Sequence, residues 1–247
     1  MTVPFEQALT AVDGVEGWLS SGQAARLYAA AAECPPGGSI VEIGSFRGRS
    51  TIVLASAAPA GVAVIAIDPH AGNDRGPQEI DGFADEADLD FAAFHRHLAA
   101  AAVSGRVRHL RAFSAEVRDQ VGPTDVLYVD GAHRYAPARD DIAGFGDKVV
   151  GGGTLLIHDA FSSLGVTLAI VRLLVVGGRF RYVGRTASLV EYRADLGASP
   201  LARTRNAGRQ LAQLPWFTRN LALKAFLAAG GAKALRALGR RVPDWPY

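Results

Sequence analysis

Four side chains in two short stretches could together do proton and metal chemistry. The run Leu127-Tyr128-Val129-Asp130-Gly131-Ala132-His133-Arg134-Tyr135 carries Asp130 and, three residues on, His133. The run Leu155-Leu156-Ile157-His158-Asp159-Ala160-Phe161 carries His158 and Asp159. Each follows a short apolar segment, and in an open α/β sheet ligands bind beyond the carboxyl ends of the strands. Two carboxylates converging there repel each other unless something positive lies between them. A hard divalent cation such as Mg²⁺ meets that need. It would hold an acceptor hydroxyl, lower its pKa and orient it. The expected metal set is Asp130, His158 and Asp159. Histidine is a poor Mg²⁺ ligand, so His158 could equally stand behind the ligands or face a substrate. His133 is the candidate general base, because a histidine ring titrates near neutrality. Plainer readings stay open: Asp130 or Asp159 as the cap of a following helix, and His133 as a loop residue making a structural hydrogen bond.

A second constellation lies upstream. Val41-Glu42-Ile43-Gly44-Ser45-Phe46-Arg47-Gly48-Arg49-Ser50-Thr51 places two glycines directly after an apolar run and before a helical one. Glycines suit a tight turn that a ligand approaches closely. A dinucleotide loop would read G-x-G-x-x-G, with pyrophosphate on the helix N-terminus. Here Phe46 takes the place of the second glycine, and the acidic Glu42 would repel a pyrophosphate. A carboxylate there suits a cofactor bearing an amino group and a sulfonium. The candidate cofactor contacts are Glu42, Gly44, Ser45, Gly48 and Ser50, with Asp130 beside them. Asp68, in Ile65-Ala66-Ile67-Asp68-Pro69-His70, ends the second strand and could accept hydrogen bonds from a ribose diol. Phe113 and Ser114 sit where an adenine ring could rest, although Ser114 as a helix cap is nearly as good a reading. His70 could also line the pocket.

These residues need a scaffold that presents strand ends to one crevice. Apolar runs at Ser39–Ile43, Val62–Ile67, Val107–Ala112, Val126–Val129 and Thr154–Ile157 read as parallel strands buried on both faces. Helical segments at Ser50–Ala57, Asp88–Ala102, Ala115–Val121, Ala136–Phe145 and Val166–Val175 alternate with them. Phe180–Gly184 and Ser188–Tyr192 read as an antiparallel hairpin at the edge. The expected fold class is α/β: a Rossmann-like, seven-stranded, mostly parallel sheet. Ser20–Glu33 predicts a capped helix stopped by Pro35-Pro36-Gly37-Gly38. The domain reading is a helical cover over 1–38, a cofactor-binding domain over 39–195 and a helical appendage over 196–247. A polar stretch near 70–90 is too long for a simple turn and reads as a lid or a disordered insert.

The bulk properties agree with one globular unit. The chain has 247 residues, 49% hydrophobic and 20% charged, with a net charge of +2. Its basic residues crowd the tail, where Arg203, Arg205, Arg209, Arg219, Lys224, Lys233, Arg236, Arg240 and Arg241 face only Asp244. That segment reads as helices packed on the core or on a second copy of the chain, with an acidic ligand or a membrane surface as sharper readings. Cys34 is the single cysteine, so no intramolecular disulfide forms, and no Cys/His cluster suggests zinc. The N-terminal residues lack a basic leader, and no uncharged apolar run is long enough to span a bilayer, so a cytoplasmic location is expected.

VEIGSFRGRST, AIDPH, YVDGAHRY and GGGTLLIHD, taken in order, resemble the class I S-adenosylmethionine-dependent methyltransferases over Trp18–Tyr192. The branch is the one that holds metal-dependent O-methyltransferases acting on sugars. The resemblance implies Glu42, Gly44 and Gly48 around the methionine part, Asp68 on the ribose, Asp130 and Asp159 on Mg²⁺, and His133 as base. At position 158 metal-dependent members usually carry an acid, and this chain has His158. The implied acceptor is a sugar or oligosaccharide hydroxyl, with the 1-hydroxyl of a methylated mannoside as the specific suggestion. The alternatives are a non-sugar small metabolite, a nicotinamide-dependent oxidoreductase on the same fold, and a cofactor-binding accessory subunit. No nucleic-acid partner is expected, since the core lacks an N/D-P-P-Y motif and the basic tail lacks a stacking series.

Overall fold

The computed structural model describes residues 2–72 and 83–242. Short β-rich runs give seven strands: β1 (Ser39–Ile43), β2 (Ala63–Ile67), β3 (Val107–Leu110), β4 (Thr124–Val129), β5 (Val149–Ile157), β6 (Phe180–Thr186) and β7 (Leu189–Ala194). They form one sheet in the order β3-β2-β1-β4-β5-β7-β6. β1 to β5 pair in parallel, and β7 runs antiparallel to both β5 and β6. This is the expected Rossmann-like α/β sheet. Within the hairpin, the second strand in sequence lies inside and β6 takes the edge. β5 starts earlier than its apolar run suggests, because Val149 still pairs with Thr124 across a bulge.

Alternating side chains on β1 explain the layers. Ile40 joins α1 (Phe5–Ala11), α2 (Ser21–Ala32), α3 (Arg49–Ala57) and α4 (Ala87–Ala100) on one face of the sheet. Val41 and Ile43 join α6 (Tyr135–Gly146) and α7 (Leu164–Ile170) on the other, beyond the short α5 (Ser114–Val117). The N-terminal helix is closed by a capping box: the Ser20 N–H donates to Gln23 Oε1 at 2.8 Å, and the Ser20 hydroxyl accepts from the Gln23 N–H. Cys34 is buried, and its thiol is pushed up to about 12 by that burial and by Asp125. The middle of the expected lid, residues 73–82, lies outside the described residues.

The appendage begins with α8 (Pro200–Leu211) and α9 (Leu214–Phe226), followed by α10 (Ala232–Ala237) beyond a kink at Gly230. α8 seals the sheet edge with a side-chain amide. Asn206 Oδ1 accepts from the Tyr182 N–H at 2.7 Å, and Asn206 Nδ2 donates to the Phe180 carbonyl at 2.9 Å. One asparagine thus does for β6 what a neighbouring strand would do, which protects an otherwise open edge. Trp216 and Phe217 of α9 pack against the core beside α7. No helix among the described residues is long and apolar enough to cross a membrane.

The strand order reverses between β1 and β4, and their carboxyl ends meet at Gly44. Gly44 has φ 86°, and a Cβ there would lie 2.0 Å from the Asp130 carbonyl oxygen. Only glycine lets the two strand tips approach this closely. Gly44→Ala is therefore expected to cost at least about 1–3 kcal/mol in backbone strain, with the clash in addition. A lowered midpoint in thermal unfolding checks this; an unchanged midpoint would contradict it.

Candidate active site

The crevice at this switch point is walled by the loops after β1, β2, β4 and β5, and by an N-terminal turn, Glu16-Gly17-Trp18. Gly44, Ser45, Ser50, Asp68, Phe113, Ser114, Asp130, His133, His158 and Asp159 all line it, as does His70. Glu42 and Gly48 do not. Of the six non-glycine residues with positive φ among the described residues, Phe46, His70, Asp159 and Phe161 belong to these loops. Such backbone costs on the order of 1–3 kcal/mol per residue and persists only where the surroundings enforce it.

On the β1 side, Asp68 is a brace. Its Oδ2 accepts from the Ser45 and Phe46 N–H groups at 2.9 and 2.7 Å, and its Oδ1 accepts from the His70 N–H at 2.8 Å. The His70 ring in turn bonds the Phe46 carbonyl at 2.7 Å. These contacts hold the turn after β1 open towards the cleft, where the buried Ser45 hydroxyl makes no hydrogen bond among the described residues. Gly48 instead begins α3 in a left-handed conformation, packed against Phe94 and Leu98.

Glu42 points away from the cleft, into the face that holds α3. Its carboxylate accepts from the Ser50 hydroxyl and, at 2.5 Å, from the Thr51 hydroxyl. Burial pushes its pKa up to about 8; the two hydroxyls oppose this, while Asp130 and Asp68 add to it. The folded ligand-free protein therefore holds the Glu42 proton more tightly than the unfolded chain does. Stability from this site is full below the usual carboxylate range and is lost as pH rises through about 8. Glu42→Gln should remove that loss, so the variant should gain in thermal midpoint over the parent between pH 6 and pH 9. An equal change in both proteins would count against it.

On the β3 side, Phe113 is about half exposed at the wall. Ser114 does not cap α5. Its hydroxyl donates to Asp141 Oδ1 at 2.5 Å, while the start of the helix is closed by Glu116 accepting from the Phe113 N–H at 3.0 Å. Burial pushes Asp141 up to about 6, against the pull of Ser114 and Arg118.

The expected acid and histidine side chains meet at the tips of β4 and β5. Asp130 Oδ2 accepts from the buried Tyr128 hydroxyl at 2.7 Å. His133 Nε2 lies 3.1 Å from Asp159 Oδ2. His158 Nδ1 lies between the two acids, 3.2 Å from Asp130 Oδ1 and 3.1 Å from Asp159 Oδ2. Neither carboxylate caps a helix: α6 starts after Arg134 and α7 after Ser163. The backbone at His133 is clamped by α7. The Ser163 hydroxyl donates to the His133 carbonyl, and a Cβ on Gly165 would lie 2.2 Å from the same oxygen.

His158 is buried, with both ring nitrogens engaged. Burial lowers its pKa, but Asp130 and Asp159 outweigh that and raise it to about 10. Gln23 pulls the other way. Its Oε1 is committed to the Ser20 N–H, which leaves Gln23 Nε2, a donor, facing His158 Nε2 at 3.1 Å. That contact favours a neutral ring with its proton on Nδ1, pointing at the carboxylates. For Asp159, burial raises the pKa, but His158, His133 and Lys224 together hold it well below the usual carboxylate range.

The donor set fits a divalent cation. Ligand atoms of Asp130, His133 and Asp159 lie within 4.8 Å of one another, and the buried Asp159 Oδ1 makes no hydrogen bond among the described residues. His158 stands behind these atoms as a hydrogen-bond partner. Several lining residues had no signal in the sequence: Glu16, Trp18 and Asp141 lie outside any motif. Trp18 is brought in because Arg49 donates to the Val15 carbonyl at 2.5 Å and the Val12 carbonyl at 3.0 Å, folding that turn over the cleft. Its ring sits 5.5 Å from Phe46.

Residues 41–160 match the family model of a methyltransferase domain. Among solved structures, the O-methyltransferase NovP superposes with a TM-score of 0.55 at 16% identity, over 71% of this chain and 80% of that one. An O-methyltransferase from Bacillus cereus in complex with SAH gives 0.56 at 15% identity, over 77% and 90%. TomG from Streptomyces achromogenes, an O-methyltransferase of tomaymycin synthesis in complex with SAM, gives 0.51 at 18% identity, over 76% and 86%. At these identities the likeness is one of fold, and the fold is the Rossmann-like one of the methyltransferases.

Proposed function

We propose that this chain is an S-adenosylmethionine-dependent O-methyltransferase of small hydroxylated molecules. The observation that carries the reading is the shared crevice: the turn after β1 opens into the same cleft as Asp130, His133 and Asp159. The cofactor, when bound, supplies a sulfonium methyl group. Gly44, Ser45 and Asp68 would hold its methionine and ribose parts, and Phe113 its adenine; the buried Ser45 hydroxyl without a partner is one site waiting for such a contact. Asp130 and Asp159 would hold Mg²⁺, which supplies positive charge beside the acceptor oxygen. His133, aligned by Asp159, would take the proton of the acceptor hydroxyl, leaving that oxygen free to receive the methyl group.

The finer reading is a sugar-type acceptor. Trp18 and Phe46 form an aromatic wall at the rim, suited to the apolar face of a pyranose. The carboxylates beneath suit adjacent hydroxyls. Calorimetric titration separates the cofactor classes: S-adenosylmethionine should bind and NAD should not. Labelled S-adenosylmethionine with a panel of methylated mannosides, other sugars and catechols then reads the acceptor. Transfer to catechols alone would replace the sugar with a non-sugar metabolite, and tight NAD binding would overturn the reading altogether.

A further inference from the structure

The chain leaving β5 makes an unusual turn. Asp159 and Phe161 both have positive φ, at 52° and 54°. The Ser162 and Ser163 N–H groups fold back onto the Asp159 carbonyl at 3.1 and 2.9 Å, and the Ala160 N–H donates to the Ser188 carbonyl at 3.0 Å. This turn aims Asp159 at His133 and His158. Its own hydrogen bonds leave the Phe161 and Ser162 carbonyls pointing outward, and both are met by one face of α9. Asn220 Nδ2 donates to the Phe161 carbonyl at 3.2 Å, and Lys224 Nζ donates to the Ser162 carbonyl at 3.0 Å. The two residues are four apart, one helical turn. Asn220 is fully buried although the rest of α9 is half-buried or exposed. Trp216 and Phe217, one turn earlier, anchor the helix on the core. All four lie outside residues 41–160, which match the methyltransferase domain.

We infer that Asn220 and Lys224 are positioning residues of the reacting centre, and that the basic C-terminal appendage belongs to the active site because α9 holds the Asp159 turn in its strained shape. A buried carbonyl needs a donor, and a positive-φ residue away from glycine relaxes unless its neighbours prevent it. The ammonium adds a charge-assisted bond to the Ser162 carbonyl. The inference rests on the reading of Asp159 given under Proposed function.

Lys224→Met keeps the aliphatic stem and removes the donor; Lys224→Arg restores one. Three measurements on the full chain test the inference: Mg²⁺ affinity by calorimetry without acceptor, the split between kcat and the KM for S-adenosylmethionine, and amide exchange at Ser162 and Ser163. Lys224→Met should weaken Mg²⁺ binding and lower kcat by roughly 10- to 100-fold, as for residues that orient metal ligands. The KM for S-adenosylmethionine should hold, exchange at the two serines should quicken, and Lys224→Arg should recover most of the loss. Asn220→Ala should move the same quantities in the same direction. Parent-like Mg²⁺ affinity, kcat and serine exchange in Lys224→Met would overturn the inference. So would a loss matched by a lower thermal midpoint and by faster exchange throughout the chain, since that marks general unfolding. If the parent itself transfers no methyl group, the proposed function fails, and the serine exchange rates still decide whether Lys224 holds the turn.

Discussion

Replacing His133 with asparagine is expected to lower kcat by roughly 10²- to 10⁴-fold, the range for losing a positioned general base. The KM for S-adenosylmethionine should change little. Asparagine has about the right size and can still hydrogen-bond Asp159, but it cannot take a proton. The site is built to hold this ring still. Asp159 Oδ2 lies 3.1 Å from His133 Nε2, and the His133 carbonyl is clamped by the Ser163 hydroxyl. Since the ring also lies within ligand distance of both carboxylates, Mg²⁺ affinity must be measured in parallel. A fall in kcat with Mg²⁺ affinity kept identifies a base. A matching fall in both identifies a third metal ligand. A kcat within tenfold of the parent places the base elsewhere.

Removing divalent cations should have a comparable effect. A cation beside a developing alkoxide supplies several kcal/mol of charge stabilisation; at about 4 kcal/mol its loss is roughly 10³-fold in rate. Dialysis against a chelator should therefore nearly abolish transfer, and added Mg²⁺ should restore it. Asp159→Asn should raise the Mg²⁺ concentration needed for half-maximal rate, because it neutralises an acid that touches both histidines. Cofactor binding should survive both treatments, as the turn after β1 is braced by Asp68 and not by Asp159. Turnover indifferent to chelation would remove the metal from the mechanism. The Nδ1 proton of His158, which lies within 3.2 Å of both carboxylates, would then be what holds them together.

The strands were legible because β1, β2, β4 and most of β5 are buried on both faces and read as unbroken apolar runs. Boundaries slipped where pairing, not composition, decides them, as at Val149 and Leu110. Asp130, His133, His158 and Asp159 were legible as a group because each follows a strand, and strand tips converge in an open sheet. Glu42 shows the converse. Its place before Gly44 suggests a contact with the cofactor, but alternation along β1 turns it onto the face that holds α3, where Ser50 and Thr51 take its oxygens. Ser114 likewise reads as a cap, yet its hydroxyl is drawn to Asp141, which is remote in sequence.

The order of residue types along the chain by itself determined a parallel α/β sheet, a glycine turn after its first strand and two acid–histidine pairs at later strand ends, since periodicity and turn chemistry are local. Only the tertiary structure decided which of those groups face one another: that His158 sits between two carboxylates with Gln23 behind it, that Trp18 closes the rim, and that Lys224 reaches back to the Asp159 turn. Such contacts join residues up to 135 positions apart, as Gln23 and His158 are. Spacing along the chain says nothing about them, because they exist only once packing of the core has fixed where α2 and α9 lie on the sheet.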